Sequence, residues 1–430
     1  MGLPKRGLVL GSTALAVAAV AVAGTGIQLS KGQALFRESP KELVDEVWQI
    51  IDRTYVDGTF NQVDWKKVRT DYLNRTYPDK QEAYKAIRDM LKKLGDPYTR
   101  FMDPEEFKNM QIDTSGELTG VGIQLAADEK TKKLTVIAPI EDSPAAVAGI
   151  LAKDIIISID GKSTEEMDVN AAVKLIRGQP GTQVTLTVLR GDKQLQFPLK
   201  RARIEIHPVR ASSRQTPNGE IGYIRLVQFS ANAPAEMRAA INKLEKQRVV
   251  GYILDLRSNP GGLLYTSVEI ARMWLKDGSI VSTVNREGEQ DRERANNRAL
   301  TDKPIIVLVD GGSASASEIL SGALQDNKRA LLVGTKTFGK GLVQSVRPLG
   351  DGSGLAVTIA KYFTPNGRDI NKHGIDPDVV IQLSDDQRKQ LSQDRERIGT
   401  LADPQYTKAQ ELLFRQLTTS PKPSSQVQAN

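Results

Sequence analysis

Residues 305–344, IIVLVDGGSASASEILSGALQDNKRALLVGTKTFGKGLVQ, leave this chain little freedom in how it folds. Ile305 to Val309 is a continuous apolar run rich in β-branched residues, closed by Asp310-Gly311-Gly312, and predicts a buried strand ending in a sharp turn. Ile319, Leu320, Ala323 and Leu324 then share one helical face, and Ala330 to Val333 is a second apolar strand. Strand, turn, helix and strand in that order predict an α/β layer arrangement. Three serines stand at the turn. Unpaired N–H groups and the positive end of a helix dipole can stabilise a developing oxyanion there.

Taken alone, Ser315-Ala316-Ser317-Glu318 is also a capping box that merely starts the helix. The downstream sequence argues for more. In Gly334-Thr335-Lys336-Thr337-Phe338-Gly339-Lys340-Gly341 one lysine stands between two glycines, which allow close backbone approach, and Gln344 follows four residues on. A serine, a lysine and an amide make a workable hydrolase set if burial lowers the amine pKa and leaves it neutral as a general base. The chain has 2 histidines, His207 and His373, neither in a triad motif, so a Ser-Lys pair suits it better than Ser-His-Asp. Glu318 and Asp326 read as structural, because an acid beside Lys340 would favour the charged amine.

The run SASASEILSGALQD, RALLVG, TFGKGLVQ resembles the active-site region of the carboxyl-terminal processing peptidases, the S41 serine peptidases with a Ser-Lys dyad. The resemblance covers about Ser39 to Val380. It implies Ser315 as nucleophile, Lys340 as base and Gln344 as the residue orienting the lysine. Val249 to Leu256 leads into Asp255-Leu256-Arg257-Ser258-Asn259-Pro260-Gly261-Gly262, similar to the family's D-L-R-x-N-x-G-G turn. We expect the oxyanion donors to be the N–H groups of Ala316 and Gly261, with Gly262 as the alternative to Gly261. Tyr362 to Gly367 and His373 to Asp378 resemble the closing T-P-x-G and G-I-x-P-D turns bordering the cleft.

The fold class expected is α/β multidomain: a helical N-terminal region (36–113), an inserted β-rich PDZ domain with helices (114–203), an α/β Ser-Lys protease core (204–383), and a helical C-terminal tail (384–430). Before these, Lys5 and Arg6 precede an uncharged apolar run ending Ala21-Val22-Ala23, the pattern of a signal peptide over 1–23. Cleavage there implies export to the periplasm, or to the thylakoid lumen in a photosynthetic organism. Left uncleaved, the leader would anchor the protein to a membrane.

Ser39-Pro40-Lys41-Glu42 predicts a helix start, and Leu43, Val47, Ile50 and Ile51 an apolar stripe. Asp96-Pro97-Tyr98-Thr99 resembles the family's D-P-Y-T signature, and the resemblance implies that the region 39–110 helps build a dimer contact or a cover over the site. In the PDZ-like segment, Gly120-Val121-Gly122-Ile123 would receive a substrate's terminal carboxylate while Val173 and Ile176 line the side-chain pocket. Val169 would line it with them. Lys153-Asp154 departs from the family's common Gly-Asp. Arg177 would couple peptide binding to the protease. Leu412, Leu413 and Leu417, on a helix expected over Tyr406 to Leu417, would dock on the N-terminal helices of the same or a partner chain.

No metal or organic cofactor is expected. The absence of cysteine excludes disulfides and thiolate chemistry. The net charge of +7, without a long basic run, argues against nucleic acid as a partner. Polypeptides with free C-termini, including membrane-associated ones, are the expected substrates, and a homodimer fits the resemblance. Two other classes compete. One is a PDZ scaffold or chaperone with an inactive or gated dyad. The other is a nucleotide-binding protein, since Gly334 to Lys340 satisfies G-x-x-x-x-G-K, although Gly341 replaces the magnesium-binding hydroxyl residue and an extended segment follows.

Overall fold

A computed structural model of the chain describes residues 39–419 except 129, 130, 141 and 289. The leader expected at 1–23 therefore lies outside the described residues. The described residues form two compact units, one built from 39–107, 209–229 and 237–419, the other from 108–208 with 230–236. The N-terminal helices and the C-terminal helix thus share one unit with the α/β core.

The first unit is centred on a sheet whose strands run, in spatial order, Val209–Arg214, Ile221–Leu226, Tyr252–Asp255, Ile305–Val309, Ala330–Gly334 and Val379–Val380. Its first pair is antiparallel and the rest are parallel. Parallel strands covered on both faces read as unbroken apolar runs, and all five residues of Ile305–Val309 are buried. The connecting helices Leu264–Trp274 and Ala316–Asp326 pack against each other.

The C-terminal helix Pro404–Thr419 is the chief departure from expectation. Tyr406, Ala409, Leu412 and Leu413 pack on Ile221, Tyr223, Ile253, Ile306, Leu308 and Val333, one face of the central sheet. An i, i+3, i+7 helical stripe meets a period-2 apolar strand face, so both bury their apolar side chains together. The N-terminal helices Pro40–Thr54, Trp65–Leu73 and Lys80–Lys92 instead close on their own core, with Leu355 and Val357 of the second sheet. That second sheet is antiparallel. Its long strand Gly354–Phe363 pairs with Arg100–Met102, Ser279–Asn285 and Leu342–Pro348.

The second unit is an antiparallel sheet of Ile123–Ala127, Leu134–Pro139, Ile155–Ile159, Gln183–Arg190 and Lys193–Lys200, with the helix Val169–Ile176 packed on it. Glu117–Gly120 pairs with Ala202–Glu205 where the chain enters and leaves. Arg190 holds the buried Asp154 at 2.6 Å, and Lys153 beside it takes a positive φ of 72°, the conformation for which the family's glycine is suited.

Candidate active site

The strand Ile305–Val309 delivers the turn at residues 310–315, and there the three serines separate. Ser313 Oγ donates to Leu256 O at 2.8 Å, and Ser317 Oγ donates to Asn259 O at 2.8 Å. The Ser315 hydroxyl is buried and has no hydrogen-bond partner among the described residues. Two serines fasten the turn and the third is free. Ser315 also has φ of 55°, an unfavourable conformation for a residue with a side chain, stored at the start of the helix Ala316–Asp326.

Glu318 reaches back to the Ser315 N–H at 2.8 Å, so the S-x-x-E signature is used, but the carboxylate does much more than begin a helix. It accepts Thr337 Oγ1 at 2.6 Å, the Gly339 N–H at 2.7 Å and the Lys340 N–H at 2.9 Å. The serine turn and the lysine turn are therefore fastened to one buried carboxylate. Tyr362, fully buried, adds a second clasp, its hydroxyl contacting the carbonyls of Ser315 and Lys340. By sequence alone Glu318 reads as a cap and Tyr362 as a residue of the cleft border. The spacing of Glu318 from two glycine-flanked N–H groups was the only available signal, and it becomes meaningful only once the turns meet.

Lys340 is 1% exposed and its Nζ has no hydrogen-bond partner. Burial, and then the neighbouring Arg100 charge, lower its pKa from 10.5 to about 8, while Asp96 and Glu318 oppose the shift. The Nζ lies 4.6 Å from the ring centre of Tyr98. The D-P-Y-T loop thus stands beside the lysine itself. Gln344 is fully buried, donates from Nε2 to Thr358 Oγ1 at 3.3 Å, and leaves Oε1 unpartnered.

The turn after Tyr252–Asp255 comes against the serine turn, with Ala314 N–H donating to Asn259 O at 3.0 Å. A Cβ on Gly261, whose φ is 100°, would stand 2.7 Å from Ala314 O and 2.9 Å from Ala316 N, so the approach requires glycine. The Gly261 N–H, expected to face an oxyanion, is given instead to Asn259 Oδ1 at 2.9 Å. Asn259 is held in that pose because its Nδ2 donates to Leu226 O at 2.8 Å. Among the described residues the N–H groups of Gly262 and Ala316 have no acceptor. Arg257 of the same turn is buried between Asp255 and Asp403, at 2.6 and 2.7 Å, and ties the turn to the C-terminal segment.

In the second unit the Val121 and Gly122 carbonyls accept from Ala145 and Ile140, while their N–H groups stay unused. Val121 and Ile176 belong to the buried core, Ile123 and Val169 are half-buried against it, and Val173 is half-buried. Arg177 caps that helix and its guanidinium contacts Asn109. His207 is paired with Glu236 at 2.8 Å, and His373 is exposed on a turn. Asp326 is ion-paired with Arg368. Among the described residues no cluster of three or more His, Asp or Glu that could hold a metal is present. The G-x-x-x-x-G-K loop cannot cradle phosphate as it stands, since the Gly339 and Lys340 N–H groups are taken by Glu318 and Leu342–Pro348 is a strand.

Comparison with known proteins identifies the family and its domains. Peptidase family S41 matches residues 220–381 and a PDZ domain matches 135–190. A carboxyl-terminal-processing protease from Synechocystis sp. is 45% identical over 91% of this chain and 90% of its own. The chain belongs to the carboxyl-terminal-processing proteases. As a member it is an α/β multidomain, serine-type endopeptidase carrying a PDZ domain. Carboxyl-terminal-processing peptidase 2, chloroplastic, from Arabidopsis thaliana is 40% identical over 84% of this chain and 71% of its own. Among solved structures, a photosystem II D1 C-terminal processing protease superposes with a TM-score of 0.57 at 36% identity, covering 86% of this chain and 99% of that one. Among the described residues of this carboxyl-terminal-processing protease, no helix is long and apolar enough to cross a membrane.

Proposed function

We propose that this chain is an exported endopeptidase that holds a polypeptide's free C-terminus in its PDZ domain and cuts a peptide bond through an acyl-enzyme on Ser315. The observation that carries the reading is the pair of buried, unpartnered groups, Ser315 Oγ and Lys340 Nζ, on two turns fastened to Glu318. Neutral Lys340 takes the hydroxyl proton as Oγ bonds to the scissile carbonyl carbon. The oxyanion is met by the N–H groups of Ala316 and Gly262, both unengaged, whereas Gly261 would first have to release Asn259. Collapse breaks the C–N bond, and Lys340 returns the proton to the departing amine. Water then attacks the ester with the same amine as base. Gln344 orients the lysine. The unused N–H groups of Val121 and Gly122, in the Gly120 to Ile123 loop, bind the terminal carboxylate, with Val173 and Ile176 facing the last side chain.

Export rests on the leader pattern and on relatives whose names place them in the chloroplast. The solved relative is named for photosystem II D1, so a membrane-protein precursor with a C-terminal extension is the first natural substrate to try. The test uses the chain from Gly24 onward with Ser315→Ala and Lys340→Ala on an unfolded polypeptide with an apolar free C-terminus. Products are read by mass spectrometry. Cleavage by the parent alone supports the dyad. Cleavage by Lys340→Ala at the parental rate removes the lysine from the mechanism, and peptide binding without cleavage by any variant makes this a binding protein.

A further inference from the structure

Gln344 and Thr358 are cross-strand partners on Leu342–Pro348 and Gly354–Phe363, and the register shifts between Val343 and Gln344. That irregularity re-aims the side chain at its neighbour. Thr358, fully buried, donates its hydroxyl proton to Asp96 Oδ2 at 2.6 Å. Asp96 is held in turn by Thr99 Oγ1 on Oδ2 at 2.7 Å and by the Tyr98 N–H on Oδ1 at 2.9 Å, and the Thr358 N–H donates to Thr99 Oγ1 at 3.0 Å. The loop Asp96-Pro97-Tyr98-Thr99 and the strand are thus locked together directly behind the glutamine.

A hydroxyl has one proton to give. Because an ionised carboxylate only accepts, the Thr358 proton must go to Asp96, and toward Gln344 the threonine can act only as an acceptor. The amide is then obliged to present its NH₂ to Thr358, and the carbonyl Oε1 becomes the free end. That oxygen is buried without a partner, as is Lys340 Nζ. A neutral amine serving as base points its lone pair at the serine and needs an acceptor for its N–H bonds.

We propose that Asp96 and Thr358 form a positioning relay that sets the orientation of the Gln344 amide, so that its carbonyl oxygen and not its NH₂ is offered to Lys340. The inference rests on the Ser-Lys reading. The charged and titratable groups around Lys340 are Arg100, Asp96, Glu318 and Tyr98, and of these Asp96 and Glu318 favour the protonated amine. Asp96 therefore has two separable effects, one on geometry through Thr358 and one on the lysine's charge.

The experiment follows Ser315 acylation by a fluorophosphonate, and peptide cleavage against pH, in the full chain. Thr358→Val should slow acylation by ten- to a hundredfold with KM for the peptide unchanged, and Thr358→Ser should recover most of the rate. In a Gln344→Ala background Thr358→Val should cost less than twofold, since the group it orients is gone. Asp96→Asn, whose NH₂ can donate to Thr358 and reverse the relay, should slow acylation at least tenfold and move the acid limb of the pH profile downward. It keeps the proposal open to refutation should Thr358→Val fail to fold. The relay is overturned if Thr358→Val or Asp96→Asn acylates within twofold of the parent, or if the Thr358→Val loss is equally large without Gln344. Ser315→Ala and Lys340→Ala run alongside. Their silence keeps the Ser-Lys reading intact whatever the relay variants do, and parental labelling of Lys340→Ala overturns that reading and the relay with it.

Discussion

Glu318 and Lys340 are joined through the backbone and not through their charges: the carboxylate Oε2 accepts the Lys340 N–H at 2.9 Å while the amine at the end of that side chain stays without a hydrogen-bond partner. An acid therefore sits between the two turns without an ion pair to the Lys340 amine, which the proposed base role requires to be neutral. Its own pKa is raised by burial, against four hydrogen bonds that favour the ionised form. Its field on the lysine is a lesser influence than desolvation.

Glu318→Gln should be far from conservative. Both carboxylate oxygens accept, and in either orientation an amide would set its NH₂ against N–H or O–H donors. The loss expected is about 2–3 kcal/mol of stability, with Ser315 acylation slowed at least a hundredfold. Thermal melting and fluorophosphonate labelling check it. A variant with parental melting temperature and labelling rate would show that the clasp is dispensable.

On the proposed reading, in which Lys340 acts as a neutral base, activity should rise with pH along a limb centred near 8, since burial lowers the lysine pKa to about 8. Arg100→Gln, which removes the second cause of that lowering, should move the limb toward higher pH. A profile centred below 7 would indicate that another group titrates.

Stability should carry the same signature with a definite sign. The unfolded lysine holds its proton up to about 10.5, the folded one releases it near 8, so the stability contribution of this site is full above 10.5 and is lost as pH falls through 8. Lys340→Met removes the buried ammonium and should stabilise the protein at pH 6 by about 1–3 kcal/mol, with little effect at pH 10.5. Denaturant melts at the two pH values decide it, and an equal change at both would contradict the buried-amine account.

Peptide capture should depend on a free carboxylate. A peptide with an apolar C-terminus should bind at least ten times more tightly than its C-terminal amide. Gly122→Ala should remove the difference, since φ is 78° there and a Cβ would lie 2.2 Å from the Ser143 Cβ. Fluorescence anisotropy with the Ser315→Ala chain measures both.

Much of the architecture was legible before any coordinates. Ile305–Val309, the helix behind it and the strand Ala330–Gly334 follow from apolar periodicity, and the spacing of Ser315, Lys340 and Gln344 follows from local motif. Periodicity and turn chemistry act between near neighbours in the chain, so a reader of residues can see them. The docking of Tyr406 and Leu413 on the central sheet, the diversion of the Gly261 N–H to Asn259, the clasp of Glu318 on two distant turns and the route from Gln344 through Thr358 to Asp96 were not legible. Asp96 and Thr358 are 262 positions apart, and which of many polar side chains meet over that span is decided by the packing of whole sheets and helices. Residue chemistry supplied the parts of the site, and burial by the tertiary structure determines which hydroxyl is left free and which amine lies where its proton is easily lost.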